Sequence, residues 1–150
     1  SAGLGGNVVT PYVQEVQKLV EKAGERVKFT GYIENQKLYR YYQSADIQVI
    51  PSLWEEAAGL IAIEGMLSGL PLIITKSGGM IEYAPSNVAV WIDRDNIIPN
   101  LEAAIIQLAD DKEKRKEMSE LSLEQAKEFP KKKFYEDYIE VFEHEGTRKR

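Results

Sequence analysis

Residues 53–73 read LWEEAAGLIAIEGMLSGLPLI, with Glu56 and Glu64 flanking a small, apolar middle. Ionised carboxylates are costly to bury unless something pairs with them. A segment that accepts two of them must expose them or use them. Just upstream, DIQVIPS reads as a strand that ends at Pro51. Downstream, LPLIITK is a near-continuous apolar run, the pattern of a parallel strand covered on both faces. Between them, GLIAIEGMLSG is too apolar all round for a surface helix and is expected to be buried on several sides.

The same alternation continues outward. VQEVQKLVEKAG (residues 13–24) places Val13, Val16, Leu19 and Val20 on one helical stripe, with Gly24 as its stop. RVKFTG reads as a short strand with Val27 and Phe29 alternating. Residues 34–45 read as a helix with Leu38, Tyr41 and Tyr42 inward, and AVWID reads as a strand with Trp91 in the core. Asp93 and Asp95 follow that strand as turn and N-cap residues. NIIPNLEAAIIQLADD and KEKRKEMSELSLEQAKEF are two further helices, and PKKKFYEDYIEVFEHE is a last one, with its proline suited to the first turn. Strands separated by helices imply crossover connections and an α/β domain: a doubly wound parallel sheet with helices on both faces.

Composition bounds the chemistry. At 150 residues the chain holds one domain with a substantial core. A net charge of -5 argues against a general nucleic-acid or anionic-membrane partner, although DKEKRKE and PKKKF are local basic clusters. There is no cysteine, hence no disulfide, thiolate metal site or cysteine nucleophile. The single histidine, His144, lies in the charged tail, so Ser-His-Asp catalysis and histidine-rich metal sites have nothing to stand on. No metal is required by any visible cluster. No apolar run approaches the roughly 20 residues of a membrane span, and no signal peptide is visible, so a cytoplasmic location is expected.

If the strand ends near Ser52, LWEEAA is the loop at its carboxyl end and a helix begins near Gly59. The N–H groups of Gly59, Leu60 and Ile61 then face the crevice with the positive end of the helix dipole, which makes an anion site. Ala57, Ala58 and Gly59 let a phosphate approach the backbone. Two carboxylates would repel that phosphate, but each accepts hydrogen bonds from hydroxyls beside it. A diphosphate with a ribose on one side and a sugar on the other fits. The blander alternative is a Glu that compensates the dipole and a second that is merely solvated.

The segments VKFTGYI, YYQSADIQVIPSLWEEAAGLIAIEGMLSGLPLIITKSGGMIEY and FPKKKFYEDYIEVFE come in order. From about Val27 to Phe142 the chain resembles the C-terminal, donor-nucleotide-binding half of a retaining glycosyltransferase of the GT-B fold, group 1 or family 4 type. The resemblance implies a Rossmann-like domain lacking its first strand-helix-strand. It implies transfer of a sugar from a nucleotide diphosphate sugar to a glycan, lipid or other acceptor, as in polysaccharide biosynthesis, with no cofactor. The E-x7-E of that family falls on Glu56, the catalytic candidate that contacts the transferred sugar, and on Glu64, which takes the ribose hydroxyls. Gly59, Leu60 and Ile61 would bind the diphosphate, Tyr32 and Ile33 would lie beside the base, and Glu82, ending SGGMIE, would border the sugar pocket. Gly3 lies in SAGLGGN, which resembles the glycine loop after the second strand of such a domain; a tag-derived terminus is the other reading of that segment. The helix at residues 130–146 would pack back toward an N-terminal domain that holds the acceptor.

Two departures stand out. Ala57 and Ala58 replace the usual proline and aromatic, and the basic pair that grips the diphosphate is absent. The isolated chain is therefore expected to bind donor weakly and to transfer nothing, and to dimerise through an open sheet edge. In the intact protein, a peripheral position at the inner face of a membrane goes with a lipid-linked acceptor. Trp54 either lines the sugar pocket or lids its own loop. The alternatives are a nucleotide-sugar epimerase of the same architecture, which the lack of an upstream histidine disfavours, and a non-catalytic module that keeps the fold.

Overall fold

The fold is taken from a computed structural model and is described over residues 10–55 and 59–129. The chain divides into two compact units, Ser1–Arg40 and Tyr41–Arg150. In the first, helix α1 (Pro11–Ala23) starts on Thr10, whose hydroxyl accepts from Val13 N–H at 3.3 Å, with Pro11 in its first turn. It stops at Gly24, where φ is +63°, a conformation that glycine adopts without penalty. Val13, Val16 and Val20 are half-buried as their spacing predicts, but Leu19 is exposed. A single 3-10 turn (Gly24–Arg26) follows.

RVKFTG does not form the expected strand: residues 27–34 have no regular structure, and Val27 and Phe29 are exposed. A strand is held by a ladder to a neighbour. Among the described residues of this unit, no other extended segment offers one. Helix α2 (Asn35–Ser44) forms where its periodicity predicts. Tyr42 packs against the core, whereas Tyr41, a hundred degrees around the helix, is exposed rather than inward.

The second unit is built on a parallel sheet of β1 (Gln48–Ile50), β2 (Leu72–Thr75) and β3 (Ala89–Ile92), in that spatial order. Gln48 pairs with Leu72, and Ile74 with Trp91. Helices α3 (Leu60–Leu67) and α4 (Met80–Tyr83) form the crossovers, and α5 (Ile97–Asp110) and α6 (Lys112–Ala126) follow β3. Every residue of β2 is buried, and its side chains alternate between two cores. Leu72 and Ile74 join Met66, Met80, Val88 and Ala126 on one face. Ile73 joins Ile92, Ala104, Leu108 and Met118 on the other. The doubly wound architecture with helices on both faces is the one that the alternating segments predict.

Helix α3 departs from its expectation. Ala62, Gly65 and Met66 are buried, but Leu60, Ile61 and Leu67 are exposed, so it buries one side only. The reason is its place over β1, an outer strand among the described residues: Gln48 of β1 lies beneath it and donates from Nε2 to Ile61 O at 3.1 Å. Trp91 is half-buried against the core, its Nε1 donating to Ala84 O at 2.9 Å. Asn96, not Asp95, precedes α5, with φ +56°, a left-handed conformation that asparagine tolerates. Asp93 is instead tied to Lys76 at 2.8 Å. No described helix is long and apolar enough to cross a membrane. SAGLGGN, with Gly3, and the expected helix at 130–146 lie outside the described residues.

Candidate functional site

In a parallel sheet all strands end on one side, so the loops after β1, β2 and β3 meet at the carboxyl end. Here they are laced together. Thr75 Oγ1 donates to Ser52 O, and Ser77 Oγ donates to Trp54 O. Gly78 N–H donates to Glu55 Oε2 at 2.7 Å, and the other oxygen of Glu55 pairs with the Arg94 guanidinium. Arg94 Nε donates in turn to Lys76 O at 3.2 Å. One carboxylate thus clasps three loops.

The Arg94 guanidinium, and after it the Gly78 N–H, hold the Glu55 carboxyl below its ordinary range. A lowered carboxyl pKa contributes stability that is present above the unfolded value and lost as pH falls through the folded one. Acidification is therefore expected to loosen the Glu55 side chain from Gly78 and Arg94, while the bonds to Ser52 O and Trp54 O persist. The protection factor of Gly78 N–H, its exchange relative to the intrinsic rate at the same pH, should fall at low pH in the wild type, and at neutral pH in Glu55→Gln. Equal protection in both proteins would show that the clasp does not hold the loop.

Helix α3 opens beside this loop. Its ladder begins with Ala62 N–H bonding to Gly59 O at 2.8 Å, so the N–H groups of Leu60 and Ile61 have no acceptor within the helix. Gly59 is the N-cap and supplies no side-chain cap. It is buried against Met80: a Cβ there would meet Met80 Cγ at 2.5 Å. Glycine is required at this place by close approach, since its φ of -74° is open to any residue.

One turn further on, Glu64 is exposed, and its Oε2 accepts from the Tyr42 hydroxyl at 2.9 Å. Burial, then the hydrogen bond to Glu64 and its charge, push the Tyr42 hydroxyl up to about 12, with Gln48 pulling the other way. Gly59, Leu60, Ile61 and Glu64 therefore share the opening turns of one helix. Glu82 is exposed on α4, whose Met80 packs on Gly59. Tyr32, 91% exposed, and Ile33, half-buried, belong to the other unit. Glu56, Ala57, Ala58 and Gly3 lie outside the described residues. Trp54 is 83% exposed, too open to lid its own loop.

Sequence reasoning misses two groups that shape this region. Tyr42 reads as core because its ring follows a helical stripe, yet a half-buried tyrosine needs a partner for its hydroxyl. Glu55 is eclipsed by its neighbour Glu56. The available signal is topological: Arg94 follows a parallel strand, and so lies at the same end of the sheet as the loop that carries Glu55.

This architecture defines an α/β domain built on a doubly wound parallel sheet. Residues 4–125 match the family described as glycosyl transferases group 1, and the chain belongs to that family of sugar transferases. It is 32% identical over 131 residues to a D-inositol 3-phosphate glycosyltransferase of Corynebacterium glutamicum, covering 85% of this chain and 30% of that one. It is 27% identical over 145 residues to spore coat protein SA of Bacillus subtilis, covering 95% and 38%. Its fold is that of a sucrose-phosphate synthase from Thermosynechococcus elongatus, with a TM-score of 0.78 over 91% of this chain and 35% of that chain at 24% identity. The chain thus spans 30% to 38% of the length of these proteins.

Proposed function

We propose that this chain binds the nucleotide diphosphate sugar for a retaining glycosyltransferase. The observation that carries the reading is the start of α3, where N–H groups at Leu60 and Ile61 with no acceptor inside the helix stand one turn from the carboxylate of Glu64. The N–H groups take the diphosphate, and the charge that grows on it as the sugar leaves is stabilised by the same donors and the helix dipole. Glu64 accepts from the ribose hydroxyls. Glu56 orients the transferred sugar through its hydroxyls, and Glu82 borders that sugar. No cofactor enters this scheme.

Sugar transfer also needs an acceptor held over the reacting carbon, which is a matter of positioning. That acceptor, a glycan or a lipid-linked molecule, belongs to parts of the longer protein beyond this chain, in the cytoplasm or at the inner face of a membrane. This chain alone is expected to bind donor and to transfer nothing. The test is calorimetric titration with UDP, GDP, ADP and their glucose conjugates, with release of free nucleoside diphosphate followed in parallel. Binding of one base series without turnover supports the reading. No binding in any series, or transfer at the rates of an intact enzyme, overturns it.

A further inference from the structure

We propose that Tyr42 is a positioning residue for donor recognition, its hydroxyl holding Glu64 Oε2 so that Oε1 is presented to the ribose hydroxyls; this rests on the donor-site reading above. Glu64 is exposed on α3, and a glutamate without a partner there samples many rotamers. Ordering such a chain at the moment of binding costs side-chain entropy. Tyr42 removes that disorder beforehand. Its ring is packed against the core of the sheet, which fixes the hydroxyl, and the hydroxyl reaches Oε2 at 2.9 Å. A carboxylate has about four acceptor sites, so one donated bond leaves the other oxygen free for a diol.

The ground beneath this pair is equally fixed. Gln48 is buried, donates to Ile61 O at 3.1 Å, and lies so close under Gly65 that a Cβ there would fall 1.7 Å from its Oε1. Helix α3 is thereby pinned over β1 next to the residue that Tyr42 grips. Burial and the carboxylate both disfavour ionisation of Tyr42, so its hydroxyl stays a donor throughout the physiological range.

The experiment compares wild type, Tyr42→Phe, Glu64→Gln and the double variant by calorimetry, using UDP, GDP and ADP, each beside its 2′,3′-dideoxy analogue. The expected result is that Tyr42→Phe weakens the ribose nucleotide about 5- to 10-fold, leaves the dideoxy analogue unchanged, and has no further effect in the Glu64→Gln background. Tyr42→Met, a flexible apolar filler, serves the same comparison where the Phe variant does not fold. A Tyr42 variant that binds as wild type, weakens both ligands alike, or acts equally with and without the Glu64→Gln substitution overturns the positioning role while the donor site stands. A wild type that binds no nucleotide, or does not distinguish ribose from dideoxyribose, overturns the donor-site reading and this inference with it.

Discussion

Gly65→Ala is expected to destabilise the domain heavily, although alanine in a helix interior normally gains about 1 kcal/mol over glycine. The new Cβ would lie 1.7 Å from Gln48 Oε1, 2.9 Å from Gln48 Cδ and 2.8 Å from Leu72 Cδ2. Neither neighbour has room to move. Leu72 is fully buried in β2, and Gln48 is buried and bonded to the backbone of α3 itself. The helix must lift off the strand, and overpacking of this kind costs about 1–3 kcal/mol or more. We expect a net loss of about 2 kcal/mol, read as a lower urea midpoint. The compensating variant is Gln48→Ala. It clears the two Gln48 contacts, leaving Leu72 Cδ2, and removes a buried Oε1 that has no hydrogen-bond partner among the described residues. Gly65→Ala should therefore cost much less in the Gln48→Ala background than in the wild type. Additive losses would show that the clash is not the cause.

Glu64→Gln is expected to weaken nucleoside diphosphate binding about 10- to 100-fold while leaving stability within about 1 kcal/mol, since the side chain is not fully buried and keeps an acceptor for Tyr42. An amide keeps one acceptor oxygen but turns a donor toward hydroxyls that need acceptors. The same substitution has a readout free of ligand. It removes the charge and the charged acceptor that help raise the Tyr42 hydroxyl to about 12, and leaves burial, the larger cause. Tyr42 should then titrate lower, though still above the ordinary 10.0, as followed by NMR of labelled tyrosine. The sign for stability follows. In the wild type the unfolded chain loses the proton first, so stability falls as pH rises from 10.0 through about 12. In Glu64→Gln that window narrows. An unchanged Tyr42 titration would mean that the bond to Glu64 is not formed in solution.

Much of this is legible in residue patterns, where one environment dominates. LPLIITK declares a strand buried on both faces, and Leu72–Thr75 is that strand, feeding two cores. Gly24 and Gly59 mark helix ends because each stands where a side chain would be strained or obstructed. The E-x7-E spacing places Glu64 on α3, one turn from the N–H groups that open the helix.

What is not legible depends on long-range partners. RVKFTG has strand composition, but composition supplies no ladder, and residues 27–34 remain irregular. The apolar ring of α3 predicts burial all round, whereas Leu60 remains 59% exposed, because a helix over β1, an outer strand among the described residues, covers one side only. The clasp of Glu55 joins residues 23 and 39 positions away in the chain, and nothing local to Glu55 announces it. Asn96 displaces Asp95 as the residue before α5 through a left-handed backbone that helix-start rules do not favour.

The central claim is that the start of α3 is the floor of a donor site, and backbone amide NMR during titration with UDP, GDP and ADP tests it most directly. The account predicts shifts concentrated at Gly59, Leu60, Ile61 and Glu64 for one base, absent from the far ends of α5 and α6 and greatly reduced in Glu64→Gln. A folded sample whose α3 amides stay unmoved by all three nucleotides, or whose shifts gather elsewhere on the sheet, would contradict it.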